Sequence, residues 1–131
     1  MVAMKEIRAV ARRIAREFRP HKVILFGSYA RGATTPDSDV DLLVIMPFQG
    51  HPAYKATEIL LKVHRGFAMD LLVRTPQMVR QRLAMGDCFM KEILREGKVL
   101  YAGDHRRVGG QSRGRLRSRR PRVARAKAAV P

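Results

Sequence analysis

A chain of 131 residues with one cysteine can bury a core of its own and excludes an internal disulfide. No apolar run approaches the roughly 20 residues that cross a bilayer, and basic residues interrupt the N-terminal stretch; this excludes a membrane span and a signal peptide, so a cytoplasmic protein is expected. The formal net charge of +16 is uneven, because residues 104–131 carry ten Lys or Arg against one Asp and leave +7 for residues 1–103.

The N-terminal half is expected to begin with a helix over residues 4–18, where apolar residues recur at helical spacing before Pro20. A buried strand near 22–26 then leads into a short helix entered at Ser28. After a loop, a second strand is expected near 40–46. Pro52 opens the next helix, whose predicted apolar stripe consists of Ala53, Ala56, Leu60 and Val63.

The C-terminal half continues the alternation of strands and helices. Gly66 is expected to stop the preceding helix, and Asp87 and Gly97 are expected to bound the last one. Cys88 has no basic neighbour in sequence and is expected in the core. The alternation predicts one α/β (α+β) domain over residues 1–103. Its remaining elements are a strand over 67–73, helices over 76–84 and 88–96, and a strand over 98–101.

Residues 104–131 form a segment of different composition. They are rich in Arg, Gly, Ser, Ala and Pro and almost lack large apolar side chains, so they are expected to be a disordered basic tail. The basic tail is compatible with nucleic-acid binding, but base composition of the coding sequence alone accounts for its residues as well, and specific nucleic-acid binding is not the expected role.

A small-residue turn at Gly27 and Ser28 is the first chemical signal. It follows the apolar run 23–26 and opens a helix, so its backbone N–H groups can face an anion such as a triphosphate. Arg31 follows one helical turn later, where it can reach phosphates or hold the next loop through Asp37 or Asp39. Taken alone, Gly27 and Ser28 can equally be an ordinary strand-to-helix turn.

Paired acids are the second signal. Asp39 and Asp41 stand two apart at the start of a strand, so their carboxylates point the same way. Carboxylates about 4 Å apart repel by roughly 4 kcal/mol at an intermediate effective dielectric. A hard cation such as Mg²⁺, which prefers oxygen ligands and bridges carboxylates to phosphates, removes that repulsion.

Asp70 is a third acid in an apolar strand. If that strand lies beside the second one, Asp70 completes a three-carboxylate cluster that binds metal or accepts the proton of an attacking hydroxyl. Alternatively, Asp39 is only a cap or turn residue, and Asp70 lies at a sheet edge or pairs with a basic residue. The four scattered histidines show no zinc-ligand spacing.

The segment from Gly27-Ser28 through Arg31-Gly32 and Ser38 to Asp39-Val40-Asp41 resembles the minimal nucleotidyltransferases of the DNA polymerase beta-like superfamily. The resemblance covers roughly residues 4–102 and implies a mixed sheet with helices packed against it. By the family pattern, Gly27 and Ser28 hold the triphosphate, Asp39 and Asp41 bind Mg²⁺, and Asp70 completes the acidic triad. The implied reaction transfers a nucleoside monophosphate from an NTP, such as AMP from ATP, to a hydroxyl.

Members of this size commonly act as antitoxins beside a helical HEPN-domain toxin, and some adenylylate a tyrosine of that toxin. The resemblance therefore implies an ATP- and Mg²⁺-dependent antitoxin with a HEPN partner, in a homo- or hetero-oligomer. Two alternatives remain open. The chain can neutralise a toxin by binding alone, or it can modify RNA ends or a small molecule, which the basic tail favours.

Overall fold

A computed structural model describes residues 2–63 and 66–103. Helices and strands alternate as predicted, with bounds that differ from the expected ones by two residues or fewer. The predicted tail, residues 104–131, lies outside the described residues. In chain order the elements are α1 (Met4–Phe18), β1 (Lys22–Phe26), α2 (Ser28–Arg31), β2 (Val40–Ile45), α3 (Pro52–Val63), β3 (Met69–Arg74), α4 (Pro76–Ala84), α5 (Cys88–Glu96) and β4 (Lys98–Ala102).

The four strands form one mixed sheet in the order β3-β2-β1-β4. β1 runs antiparallel to both β2 and β4, whereas β2 and β3 are parallel. A parallel pair needs a crossover connection, and α3 supplies it. The mixed sheet with packed helices confirms the predicted fold class. None of the helices in these ranges is long and apolar enough to cross a membrane.

Helices cover both faces of the sheet. On the first face, α1 and α3 pack against alternate residues of β1 and β2, such as Leu25 and Leu42. On the second face, α4 and α5 pack against the intervening residues, such as Phe26 and Leu43. Because β2 is buried on both sides, its apolar run is continuous from Leu42 onward rather than alternating with polar residues.

Both ends of α5 are fixed by local contacts, through an N-cap and through a glycine packed against the sheet. The side chain of Asp87 accepts hydrogen bonds from the backbone N–H groups of Phe89, at 3.0 Å, and Met90, at 3.1 Å, which confirms the predicted N-cap. At the C-terminal end of α5, Gly97 lies against β1, and a Cβ there would be only 2.6 Å from Cγ2 of Ile24. The lack of a side chain lets the chain enter β4, which pairs with β1. These contacts fix α5 over the end of β1.

Two expectations about helix faces are wrong. Cys88 is exposed, because α5 buries Met90 and Ile93, and a position two residues from Met90 is rotated about 200° around the helix axis. In α3, Ala53 is exposed and Ile59 is fully buried, so the stripe that faces the core is rotated from the predicted one.

Candidate active site

The turn after β1 has a backbone conformation that requires glycine. Gly27 has φ 76° and ψ −154°, a region that side-chain-bearing residues essentially do not adopt. Its carbonyl oxygen accepts hydrogen bonds from the N–H groups of Ala30, at 3.1 Å, and Arg31, at 3.2 Å, and so closes the single turn of α2. The predicted strand–turn–helix arrangement is thus observed.

Gly27 also lies against a carboxylate. The antiparallel register of β1 and β2 places Phe26 opposite Asp41, so the next residue, Gly27, lies beside that aspartate. A Cβ at Gly27 would collide with the carboxylate of Asp41. The backbone of Gly27 and the carboxylate of Asp41 are therefore in direct contact. Any side chain at position 27 would displace the turn or the carboxylate.

The third strand places a second carboxylate beside the first. β3 runs parallel to β2 in a register that pairs Asp41 directly with Asp70. Residues paired in adjacent strands project to the same face, here the one covered by α4 and α5. The condition on which a role for Asp70 depended, that its strand lies beside the second strand, is met.

Asp39 lies just outside the strand. It precedes β2 by one residue and is exposed, at the end of a loop in which the backbone N–H of Thr35 donates to Oγ of Ser38 at 2.8 Å. Within residues 2–63 and 66–103, no three Asp, Glu, His or Cys side chains lie close enough together to hold a metal ion.

The surroundings of Asp41 disfavour its ionised form. Its pKa is raised above the ordinary aspartate value, mainly because burial disfavours the ionised carboxylate. The neighbouring charges of Asp70 and then Asp39 raise the pKa further, while the guanidinium of Arg31 lowers it. Oxygen-only ligands that repel one another are the donor set that a hard divalent cation stabilises, so these residues fit Mg²⁺.

Arg31 faces the acids from the last residue of α2 and is exposed. Among the described residues, Arg31 makes no ion pair or hydrogen bond with Asp37 or Asp39, the two residues through which it could have held the loop. Arg31 lines the same cleft as Asp41 and Asp70, and its guanidinium lowers the pKa of Asp41. Arg31 is therefore a cation of the cleft that forms no ion pair with the loop acids Asp37 and Asp39.

A cleft of about 300 Å³ joins the turn, two of the acids and α5. One wall contains residues that the sequence predicts to be functional: Gly27, Arg31, Asp41 and Asp70. The other wall contains Phe89, Glu92 and Glu96, for which the sequence predicts no role. These three residues share one face of α5 with Ile93, a spacing visible in the sequence, but only the packing of α5 shows that this face borders the acids.

A larger cavity of about 490 Å³ lies beside β3, between α3 and α4. Its lining includes His51, Arg74 and Arg82 but no acidic residue. The smaller cleft holds the neighbouring carboxylates and the glycine turn, so the chemistry assigns the candidate site to the smaller one.

Comparison with known proteins agrees with this geometry. The family described as "Nucleotidyltransferase domain" matches residues 7–101. "Putative protein adenylyltransferase MJ0604" of Methanocaldococcus jannaschii is 34% identical over 84 residues, which cover 63% of this chain and 80% of that protein. "Putative protein adenylyltransferase MJ1379" of the same organism is 29% identical over 82 residues, covering 56% of this chain and 81% of the relative.

Two solved structures share the fold. A putative nucleotidyltransferase from Sulfolobus solfataricus has a TM-score of 0.52 at 19% identity, covering 76% of this chain and 79% of that chain. A chain from a crystal structure of a toxin–antitoxin with AMP-PNP has a TM-score of 0.50 at 18% identity, covering 80% of this chain and 77% of that one. The chain belongs to the nucleotidyltransferase domain family, and the paired carboxylates beside the glycine turn lie within the matched region.

Proposed function

We propose that this protein transfers AMP from ATP to a hydroxyl of a partner protein, and that the partner is a toxin which the modification neutralises. The observation that carries the proposal is the direct pairing of Asp41 with Asp70 beside the Gly27 turn, within the family match. Two relatives named as protein adenylyltransferases support a protein acceptor. The toxin–antitoxin neighbour supports a toxin as that protein.

The metal belongs to this proposal. Asp39, Asp41 and Asp70 would hold Mg²⁺, which when bound would neutralise charge between the carboxylates and the phosphate oxygens. The raised pKa of Asp41 is consistent with this role. Burial is its main cause, but the charges of Asp70 and Asp39 add to it, and a bound cation would offset both.

In the proposed reaction the acceptor oxygen attacks the α-phosphorus of ATP. A new P–O bond forms to the acceptor, the bond to the β-phosphate oxygen breaks, and pyrophosphate leaves. By the family pattern, Gly27 and Ser28 would hold the triphosphate, and the lack of a side chain at Gly27 lets this backbone lie against Asp41. Arg31 would contact the phosphates, and Asp70 would accept the proton released by the hydroxyl.

The acceptor would come from outside the described fold. The cleft is bounded by the sheet, by the short helix α2 and by α5, and the partner toxin would complete it. By resemblance to the family, the partner would be a HEPN-domain protein and the acceptor a tyrosine. The same arrangement makes a hetero-oligomer with the toxin the proposed working form.

The test uses the full-length protein, its co-expressed neighbouring gene product, Mg²⁺ and ATP labelled either at the α- or at the γ-phosphate. We expect the partner to become labelled from α-labelled ATP and to stay unlabelled from γ-labelled ATP. Asp41→Asn and Asp70→Asn should each lower the transfer rate at least about 100-fold, as is typical when a group that stabilises transition-state charge is removed.

Glu58→Gln is the matched control, because it removes one negative charge from an exposed residue on α3, where Glu58 forms an ion pair with Lys55. This variant should transfer AMP like the wild type. Full suppression of the toxin by the Asp39→Asn, Asp41→Asn double variant would instead support neutralisation by binding alone. Labelling of RNA or a small molecule in place of the partner would assign the acceptor to the remaining alternative.

A further inference from the structure

The cleft has two walls of different chemistry. The sheet-side wall presents the Gly27 turn, Arg31 and the pair Asp41 and Asp70. The helix-side wall presents one face of α5, on which Phe89 precedes two glutamates at helical spacing. The proposed chemistry uses only the first wall, so the second wall has no role in it.

Phe89 is the unusual residue of the second wall. It lies in the first turn of α5, and 53% of its surface is exposed, although most large aromatic side chains are largely buried. Its ring meets Phe26 edge-on, with ring centroids 5.8 Å apart and an interplanar angle of 81°. Phe26 is the residue directly before Gly27, so this contact holds the exposed ring beside the turn.

Charge determines how a nucleotide would lie between the two walls. Glu92 and Glu96 follow Phe89 along the helix-side wall, and their carboxylates would repel a triphosphate. On the sheet-side wall Arg31 is a cation, and a divalent cation held by the two aspartates would offset their repulsion of phosphate. The triphosphate therefore belongs to the sheet side, and the base belongs to the helix side, where the aromatic ring lies.

We propose that Phe89 is the platform on which the base of the nucleotide stacks, and that it favours purines over pyrimidines. This inference rests on the proposed function and adds the determinant of base preference to it. Stacking on an aromatic face is available to every base, and a purine offers the larger face. The cleft, at about 300 Å³, is at the small end of ligand sites, so the ring and the turn together would contact the two ends of one nucleotide.

The experiment measures binding of three probes to the full-length protein by isothermal titration calorimetry in Mg²⁺. The probes are a non-hydrolysable ATP analogue, the matching CTP analogue and inorganic tripolyphosphate, which lacks a base. Phe89→Ala should weaken the ATP analogue by about 5- to 150-fold, the range that one base–aromatic stack provides. Tripolyphosphate should bind this variant within about twofold of wild type, and the preference for ATP over CTP should fall.

Two further variants separate stacking from a loss of structure. Phe89→Trp keeps an aromatic face and should retain binding of the ATP analogue. Leu94→Ala shortens another exposed apolar residue of α5 that does not line the cleft, and should bind all three probes like wild type. Thermal unfolding of each variant verifies that the fold is intact.

Unchanged affinity of Phe89→Ala for the ATP analogue would overturn the inference, and would assign the exposed ring to contact with the partner protein if partner binding fell instead. Equal losses for the ATP analogue and tripolyphosphate would also overturn it, because the ring would then support the turn rather than the base. If the wild type bound neither probe, the proposed function would fail together with this inference. The wild-type titrations thus test the function, and the variant titrations test Phe89.

Discussion

Replacement of Gly27 by alanine tests whether the close approach of the turn to Asp41 is needed. The substitution has two costs. The backbone at φ 76° and ψ −154° lies in a region where a side-chain-bearing residue costs about 1–3 kcal/mol. In addition, the new Cβ would overlap the carboxylate of Asp41, and overpacking of this kind costs about 1–3 kcal/mol. We therefore expect the free energy of unfolding to fall by at least about 2 kcal/mol.

The effect on activity should be larger than the effect on stability. To relieve the overlap, either the turn or the carboxylate must move, and a misplacement of about 1 Å in a reacting group can lower the rate about 100-fold. Gly32→Ala is the matched control. Gly32 also has a positive φ, 72°, but a Cβ there would meet nothing within 4 Å. It should therefore lose about 1 kcal/mol through backbone strain alone and keep its activity.

The assay combines urea unfolding, followed by circular dichroism, with the rate of AMP transfer at a temperature where both variants are folded. Gly27→Ala with a transfer rate within threefold of Gly32→Ala would refute the reasoning. That result would mean that the turn and Asp41 do not act together, although they lie in contact.

Two further predictions concern charge. The raised pKa of Asp41 means that the folded state binds a proton more tightly than the unfolded state. The ionised carboxylate therefore lowers the free energy of unfolding at pH values above its folded pKa. This effect disappears as the pH falls below the unfolded pKa. Asp41→Asn should therefore raise the free energy of unfolding at pH 7, by no more than about 1 kcal/mol because the group is half-exposed. At pH 3 the substitution should have little effect on the free energy of unfolding. Equal shifts at both pH values would contradict this prediction. The second concerns the basic tail: removal of residues 104–131 should leave the urea midpoint unchanged and reduce binding to RNA in a salt-dependent manner, because the net charge falls from +16 to +7. RNA binding that is unchanged by the deletion would show that the tail is not the element that binds RNA.

Local signals predicted most of the fold. Pro76, Asp87 and Gly97 mark helix ends through caps and backbone preferences that involve only neighbouring residues, and the corresponding ends lie where expected. The errors at Cys88 and Ala53 have a different origin. Which face of a short helix is buried depends on how the helix lies on the sheet, and the apolar pattern of a dozen residues permits more than one rotation.

The candidate site divides in the same way. The spacing of Gly27, Asp39 and Asp41 could be read along the chain, since all three lie within one strand–turn–helix–strand segment. Asp70 needed a condition that sequence could state but not decide, namely that its strand pairs with β2 in a register that aligns the two acids. Phe89 was not anticipated at all, because its place in the cleft depends on three separate contacts: the cap at Asp87, the exit at Gly97 and the ring of Phe26.

The balance of charge in the cleft has a consequence for how ligands bind. The protein carries a net positive charge, yet among the residues that the structure describes the cleft is lined by four carboxylates, of Asp41, Asp70, Glu92 and Glu96, and by one guanidinium, of Arg31. Free triphosphate would meet a repulsive site, and a cation alone would lack the phosphate oxygens that complete its coordination. Each ligand therefore improves the site for the other, and because such coupling is reciprocal, the affinity for ATP should rise with Mg²⁺ by the same factor as the affinity for Mg²⁺ rises with ATP.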